Sequence, residues 1–169
     1  NPTRIGFYSL LKNNGAKIKF LNKKKNNNEL FGDIIIKSSK IKPIYASKEY
    51  YVKATDEYPI LFAIAAVTEG VSTFKGIGDL ANKESDRIKE MQKILRQIGI
   101  KSFAKKDYVK IYGKKLINHE NKKIKVPNLG DHRICMSAVI LSLATGIKAE
   151  IKNFETVYTS APSFLKIMK

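Results

Sequence analysis

The chain has 169 residues, 43% of them apolar, which is enough to bury one core and too little for two domains of ordinary size. No run of about 18 apolar residues and no secretory leader pattern occurs, so the expectation is a soluble, cytoplasmic protein; a lone Cys135 excludes an internal disulfide and any cysteine-based metal site. The net charge of +17 points first to nucleic acid, but four arginines among 32 basic residues leave few of the planar forks that read bases and phosphates. The lysine excess, with many Asn and Ile, runs through every segment and fits a global codon bias toward A and T.

Taken in chain order, residues 2–14 predict a short amphipathic helix opened by Pro2 and stopped at Gly15. Residues 16–21 and 30–37 predict two strands of a hairpin, joined by an exposed turn over 23–28, and residues 43–54 read as weakly extended. An apolar helix follows over 56–69, closed by Gly70, then a strand over 71–77. The clearest periodicity lies in 83–98, where Ile88, Met91, Ile94, Leu95 and Ile98 share one face. Strands are predicted over 100–103, 108–112 and 122–126, a second apolar helix over 131–144 ending at Gly146, a strand over 149–154 and a short helix over 162–168.

This order repeats. The stretch from Asp56 (acidic opening, apolar helix, glycine, strand, polar loop, helix) is echoed from Asp131, and residues 7–17 are echoed by 88–101. The chain reads as α/β, built from repeated βαβαββ units and starting inside one of them, which predicts a truncated fold.

Three predicted helix starts carry charge clusters: Asp56-Glu57, Lys83-Glu84-Ser85-Asp86-Arg87 and Asp131-His132-Arg133. Acids there cap free N–H groups and complement the helix dipole. Cations do not, and a local rule broken twice directs attention to function. A bound anion would compensate Lys83, Arg87, His132 and Arg133, since free N–H groups and guanidinium forks hold phosphate or carboxylate. The plain alternative stays open: solvated first turns, or ion pairs such as Glu84 with Lys83 or Arg87. Taken alone, Asp56 reads as a helix cap, His132 as a packed histidine, His119 as an exposed one and Cys135 as core. Arg96 sits in an ordinary helix pattern.

The motifs Asn1-Pro2-Thr3-Arg4, Asp56-Glu57-Tyr58-Pro59, Lys83-Glu84-Ser85-Asp86-Arg87, Gly130-Asp131-His132-Arg133 and Thr159-Ser160 before Pro162, in this order and spanning the chain, resemble the C-terminal lobe of the EPSP synthase (3-phosphoshikimate 1-carboxyvinyltransferase) family. The resemblance implies a two-lobed enzyme, each lobe an inside-out α/β assembly of three βαβαββ units. Residues 1–169 would then be roughly two of the three units of one lobe, with the N-terminal lobe absent. It implies transfer of the enolpyruvyl group of phosphoenolpyruvate to the 5-hydroxyl of shikimate 3-phosphate, in aromatic amino-acid biosynthesis, by a monomeric enzyme with no cofactor and no metal.

By the same resemblance Asp56 is the proton acceptor at the 5-hydroxyl, Lys83 stands near that hydroxyl and the bridging phosphate oxygen, and Glu84 transfers a proton at the methylene carbon. Arg87 and Arg133 grip phosphoenolpyruvate, with His132 and Asp79 as further substrate contacts. The sequence departs from the family at Ala81-Asn82, where many members have Arg-Val, at Asp79, where some have asparagine, and at Thr159 and Ala161, so Thr159 is not assigned as a ligand. The sister enolpyruvyl transferase acting on UDP-N-acetylglucosamine, and a basic nucleic-acid-binding domain, are the competing readings.

Overall fold

The structure is a computed structural model and describes residues 5–168, so the Asn1-Pro2-Thr3-Arg4 motif and the predicted start of the first helix lie outside the described residues. Helix α1 (Gly6–Asn13) buries Leu10 and Leu11 and passes through Gly15 into a hairpin of β1 (Lys17–Asn26) and β2 (Glu29–Lys37). The predicted hairpin is present, but its turn is far tighter than the six-residue loop expected over 23–28. Asn27 and Asn28 both take positive φ (43° and 66°), a conformation asparagine tolerates and a two-residue hairpin turn requires, so the lysine run is drawn into strand. The register slips between Leu21 and Lys24.

Residues 43–54, read as extended, contain only the two-residue strand β3 (Tyr45–Ala46) before helix α2 (Lys48–Ala54), a 3-10 turn (Thr55–Glu57) and helix α3 (Tyr58–Ala66). Helix α2 has no signal in the sequence, because Ala54 is its one fully buried residue and it carries no apolar periodicity. Helix α3 is apolar nearly all round, as a helix enclosed by others must be, with Tyr58, Leu61, Phe62, Ala65 and Ala66 buried.

Strand β4 (Gly70–Lys75) and a 3-10 turn (Gly78–Asn82) lead to α4 (Arg87–Gln97), then β5 (Lys101–Lys105) and β6 (Tyr108–Gly113). These build one sheet in the order β3-β4-β6-β5, with β3 and β4 parallel and the other pairs antiparallel. Strand β7 (Ile124–Val126), helix α5 (His132–Thr145) and β8 (Ala149–Ile151) follow, β7 and β8 pairing in parallel, then a 3-10 turn (Phe154–Val157) and α6 (Phe164–Ile167). Helices α3, α4 and α5 pack on one another and form the centre of the core.

The internal repeat is visible in space. Strand, helix, parallel strand, 3-10 turn and helix run from β3 to α4 and again from β7 to α6. Helix, glycine and antiparallel hairpin run from α1 to β2 and again from α4 to β6, with Gly15 (φ 99°) and Gly99 (φ 79°) at matching corners. Gly113 is held for a different reason: a Cβ there would lie 2.0 Å from both the Ala65 and the Thr68 carbonyl oxygens, so only glycine lets β6 approach the end of α3.

Candidate functional site

The charge clusters converge at the openings of α3, α4 and α5. Helix α4 begins at Arg87, four residues later than predicted, because Asp86 caps it by accepting from the Lys89 N–H at 3.0 Å. Lys83 and Glu84 therefore lie in the turn ahead of the helix. Asp131 caps α5, its Oδ1 accepting from the N–H groups of Arg133 (3.0 Å) and Ile134 (3.4 Å). Asp56 sits in the 3-10 turn between α2 and α3, not at a fresh helix start, and faces the two arginines.

Arg87 is the largest fully buried side chain, 1% exposed. Its Nε donates to Asp131 Oδ2 at 3.0 Å, its Nη2 pairs with Glu84, and its Nη1 lies 3.7 Å from Asp56 Oδ1 with no hydrogen-bond acceptor among the described residues. Arg133 turns to the same acid: Nη2 is 3.0 Å from Asp56 Oδ2 and Nη1 donates to the Asp56 carbonyl at 3.2 Å. One carboxylate thus stands between the two guanidinium groups. The alternative of a Glu84–Arg87 pair is realised, but around a buried arginine rather than on a solvated first turn.

Lys83 faces Asp79 at 2.6 Å, and Tyr51 donates its hydroxyl proton to the same carboxylate at 2.8 Å. The bonds from Lys83 and Tyr51 hold the exposed Asp79 carboxyl below its usual value. Burial, then the bond to Asp79, pushes the Tyr51 phenol up, so it remains a donor at neutral pH. Burial acts to raise the Asp131 carboxyl, but bonds from Arg87 and Ser85 with the Arg87 charge outweigh it, and Asp131 is held below its usual range. It is ionised while fully buried.

Of the predicted site residues, Asp56, Glu84, Arg87 and Arg133 form one contiguous network, and Lys83 and Asp79 form an adjoining pair. His132 is the first residue of α5 and half-buried. Asp131 and Ser85 fall within the charge clusters without being assigned to the site, and Tyr51 carries no signal in the sequence. Asp131 was legible as a cap; its bond to a residue 44 positions earlier carries no local signal. Cys135 is buried as expected, its thiol pushed up to about 11 by burial and the nearby Asp131 charge.

The acidic and basic side chains paired or capping here comprise five acids, Asp56, Asp79, Glu84, Asp86 and Asp131, and three bases, Lys83, Arg87 and Arg133. A chain of charge +17 therefore carries a slightly acidic cluster at its helix openings. Arginine forks already referenced to fixed acids suit one compact, multiply anionic ligand better than a polymer of phosphates.

Comparison with known proteins places the chain as a whole. The 3-phosphoshikimate 1-carboxyvinyltransferase of Petrotoga mobilis is 39% identical across 100% of this chain and that of Clostridium tetani 35%, also across 100%. An EPSP synthase structure from Acinetobacter baumannii superposes on 99% of the chain with a TM-score of 0.83 at 34% identity. The chain spans 38% of the length of each of these three. The enolpyruvyl transferase NikO from Streptomyces tendae, 12% identical with a TM-score of 0.63, shares the fold. Residues 1–168 match the family described as EPSP synthase (3-phosphoshikimate 1-carboxyvinyltransferase), and with the α/β repeat and these relatives the chain belongs to that family.

Proposed function

We propose that residues 1–169 are about two of the three βαβαββ units of the C-terminal lobe of an enzyme that transfers the enolpyruvyl group of phosphoenolpyruvate to the 5-hydroxyl of shikimate 3-phosphate, releasing phosphate. The observation that carries the reading is the convergence of Arg87 and Arg133 on Asp56, beside Glu84 and Lys83. In the first step the 5-hydroxyl oxygen bonds to the substituted enol carbon while the methylene carbon takes a proton. In the second, the C–O bond to phosphate breaks and a methyl proton leaves, restoring the double bond. Asp56 would accept the hydroxyl proton and Glu84 would serve the carbon. Arg87 and Arg133 would neutralise phosphate and carboxylate through both steps, and Lys83 the bridging oxygen. His132 and Asp79 would border the substrates.

The other lobe is the partner this reading requires, since both substrates must be enclosed and water excluded. The complete enzyme would be a cytoplasmic monomer that needs no cofactor. Among the described residues no helix is long and apolar enough to cross a membrane.

The reading is tested by titrating the isotopically labelled chain with phosphoenolpyruvate at moderate salt, beside an oligonucleotide of equal charge. Amide and side-chain shifts confined to residues 83–87, 131–133 and Asp56 are expected from phosphoenolpyruvate. No response to it, with broad oligonucleotide shifts over the lysine-rich surface, would overturn the preformed half-site and leave a site that needs the other lobe or the basic-domain reading. The chain alone is expected not to turn over; phosphate release by the isolated chain would refute that dependence on a second lobe.

A further inference from the structure

We propose that Asp131 is a positioning residue that sets the directions of both arginines through one buried carboxylate. The consequence for ligand binding rests on the reading of the site given above; the positioning itself does not.

A helix cap uses one side-chain oxygen, and Asp131 Oδ1 performs that role for α5. The cap fixes the first turn from which Arg133 projects. Oδ2 does something a cap has no need of: it accepts from Arg87 Nε at 3.0 Å and from the Ser85 hydroxyl at 2.8 Å, both from another stretch of chain. Asp131 is 0% exposed, so these four donors are what keeps its charge tolerable in the core. Holding Nε fixes the plane of the Arg87 guanidinium and leaves its two outer nitrogens for Glu84 and Asp56. Arg133, referenced to the other oxygen of the same carboxylate, meets Asp56 from α5. Two forks from separate helices converge because a single rigid acid joins the two helix openings.

Asp131→Asn separates the two roles. Asparagine caps helices well, so Oδ1 can still serve α5, but its amide would set donor against donor at Arg87 Nε. The chain has only four arginines, so its Nε–Hε spectrum is simple enough to read each one, with Arg87 assigned through its loss in Arg87→Lys. In the wild type the Arg87 Nε–H is expected to be shifted away from the exposed Arg96 signal and to exchange slowly. In Asp131→Asn it should move toward the Arg96 position and exchange quickly, with helix content unchanged. Affinity for phosphoenolpyruvate should fall by about tenfold or more, the worth of one charge-assisted bond.

A wild-type Arg87 Nε–H that exchanges as fast as that of Arg96 would overturn the proposal without any variant. So would an Asp131→Asn chain that folds and leaves the Arg87 signal in place. If the wild type does not bind phosphoenolpyruvate, the half-site reading fails, and the Nε spectrum still decides the positioning role.

Discussion

Replacing Arg87 with methionine removes a cation that is 1% exposed and leaves Asp131, 0% exposed, without its charged partner. Removing one member of a buried pair typically costs about 3–5 kcal/mol. The lower end, about 3 kcal/mol, is expected, because Asp131 keeps the Arg133 and Ile134 N–H groups and the Ser85 hydroxyl. For a chain of this size that corresponds to a fall in melting temperature of about 6–12 °C. Glu84 and Asp56 add little, since their side chains are 50% and 33% exposed and water solvates them once Arg87 is gone. The check is a double-mutant cycle of Arg87→Met and Asp131→Asn by urea denaturation followed by circular dichroism. The double variant should be more stable than the summed single losses imply, by about 2 kcal/mol, because neither charge is then left alone in the core. Losses that add to within about 0.5 kcal/mol would show that the two residues do not sense each other, and the account of the site would fail with them.

Three further outcomes follow from the same geometry. The Asp131 carboxyl is held below its usual 3.8 in the folded chain, so its stabilisation is fully present above that pH and is lost as pH falls through the lower folded value. Urea midpoints should therefore be flat from pH 7 to about 5 and drop below about 4, and Asp131→Asn should flatten the drop. Gly113→Ala places a methyl 2.0 Å from two backbone carbonyl oxygens that cannot swing aside, and should cost about 3 kcal/mol in denaturant unfolding; a cost under about 1 kcal/mol would contradict the close approach of β6 to α3. The buried Cys135 thiol, pushed up to about 11, should resist iodoacetamide at pH 8 in the folded chain and react at the rate of the unfolded one in urea; equal rates would place it at the surface.

How much of this was legible depended on the range of the interaction that decides each feature. Helix α4 was readable because Ile88, Met91, Ile94 and Leu95 recur at helical spacing and all are buried. Its start was misplaced because Lys83 and Glu84 extend the charged pattern, whereas the capping bond belongs to Asp86. Helix α2 was unreadable: it presents Tyr50 and Tyr51 only half-buried and leans on α1 and β4 rather than on a stripe of its own. The repeat was legible because it is written in the order of elements and in glycines at matching corners, and it supplied the fold class. At the site, residue types and helix openings were readable, but the links from Arg87 to Asp131 and from Arg133 to Asp56 span 44 and 77 positions and belong to tertiary structure alone.

The use of arginine in a lysine-rich chain gives the site its internal logic. Arg87 spends its three nitrogens on different acids, Nε on Asp131, Nη2 on Glu84 and Nη1 toward Asp56, and a lysine ammonium on a flexible stem could not hold that fixed plane. Arg133 grips Asp56 at both its side chain and its carbonyl, which again needs a fork. Lys83 meets a single carboxylate, Asp79, where a point charge suffices. Arg96, exposed in the last turn of α4, complements the helix dipole, a task lysine performs equally well. Because the acids more than neutralise the forks, the surplus of +17 lies elsewhere and acts on any polyanion without preference. On the proposed reading, a compact anion at the helix openings would compete with Asp56 for two fixed guanidinium groups, and only a ligand that presents two charged ends to Arg87 and Arg133 together would gain enough to do so, a selectivity that net charge cannot supply.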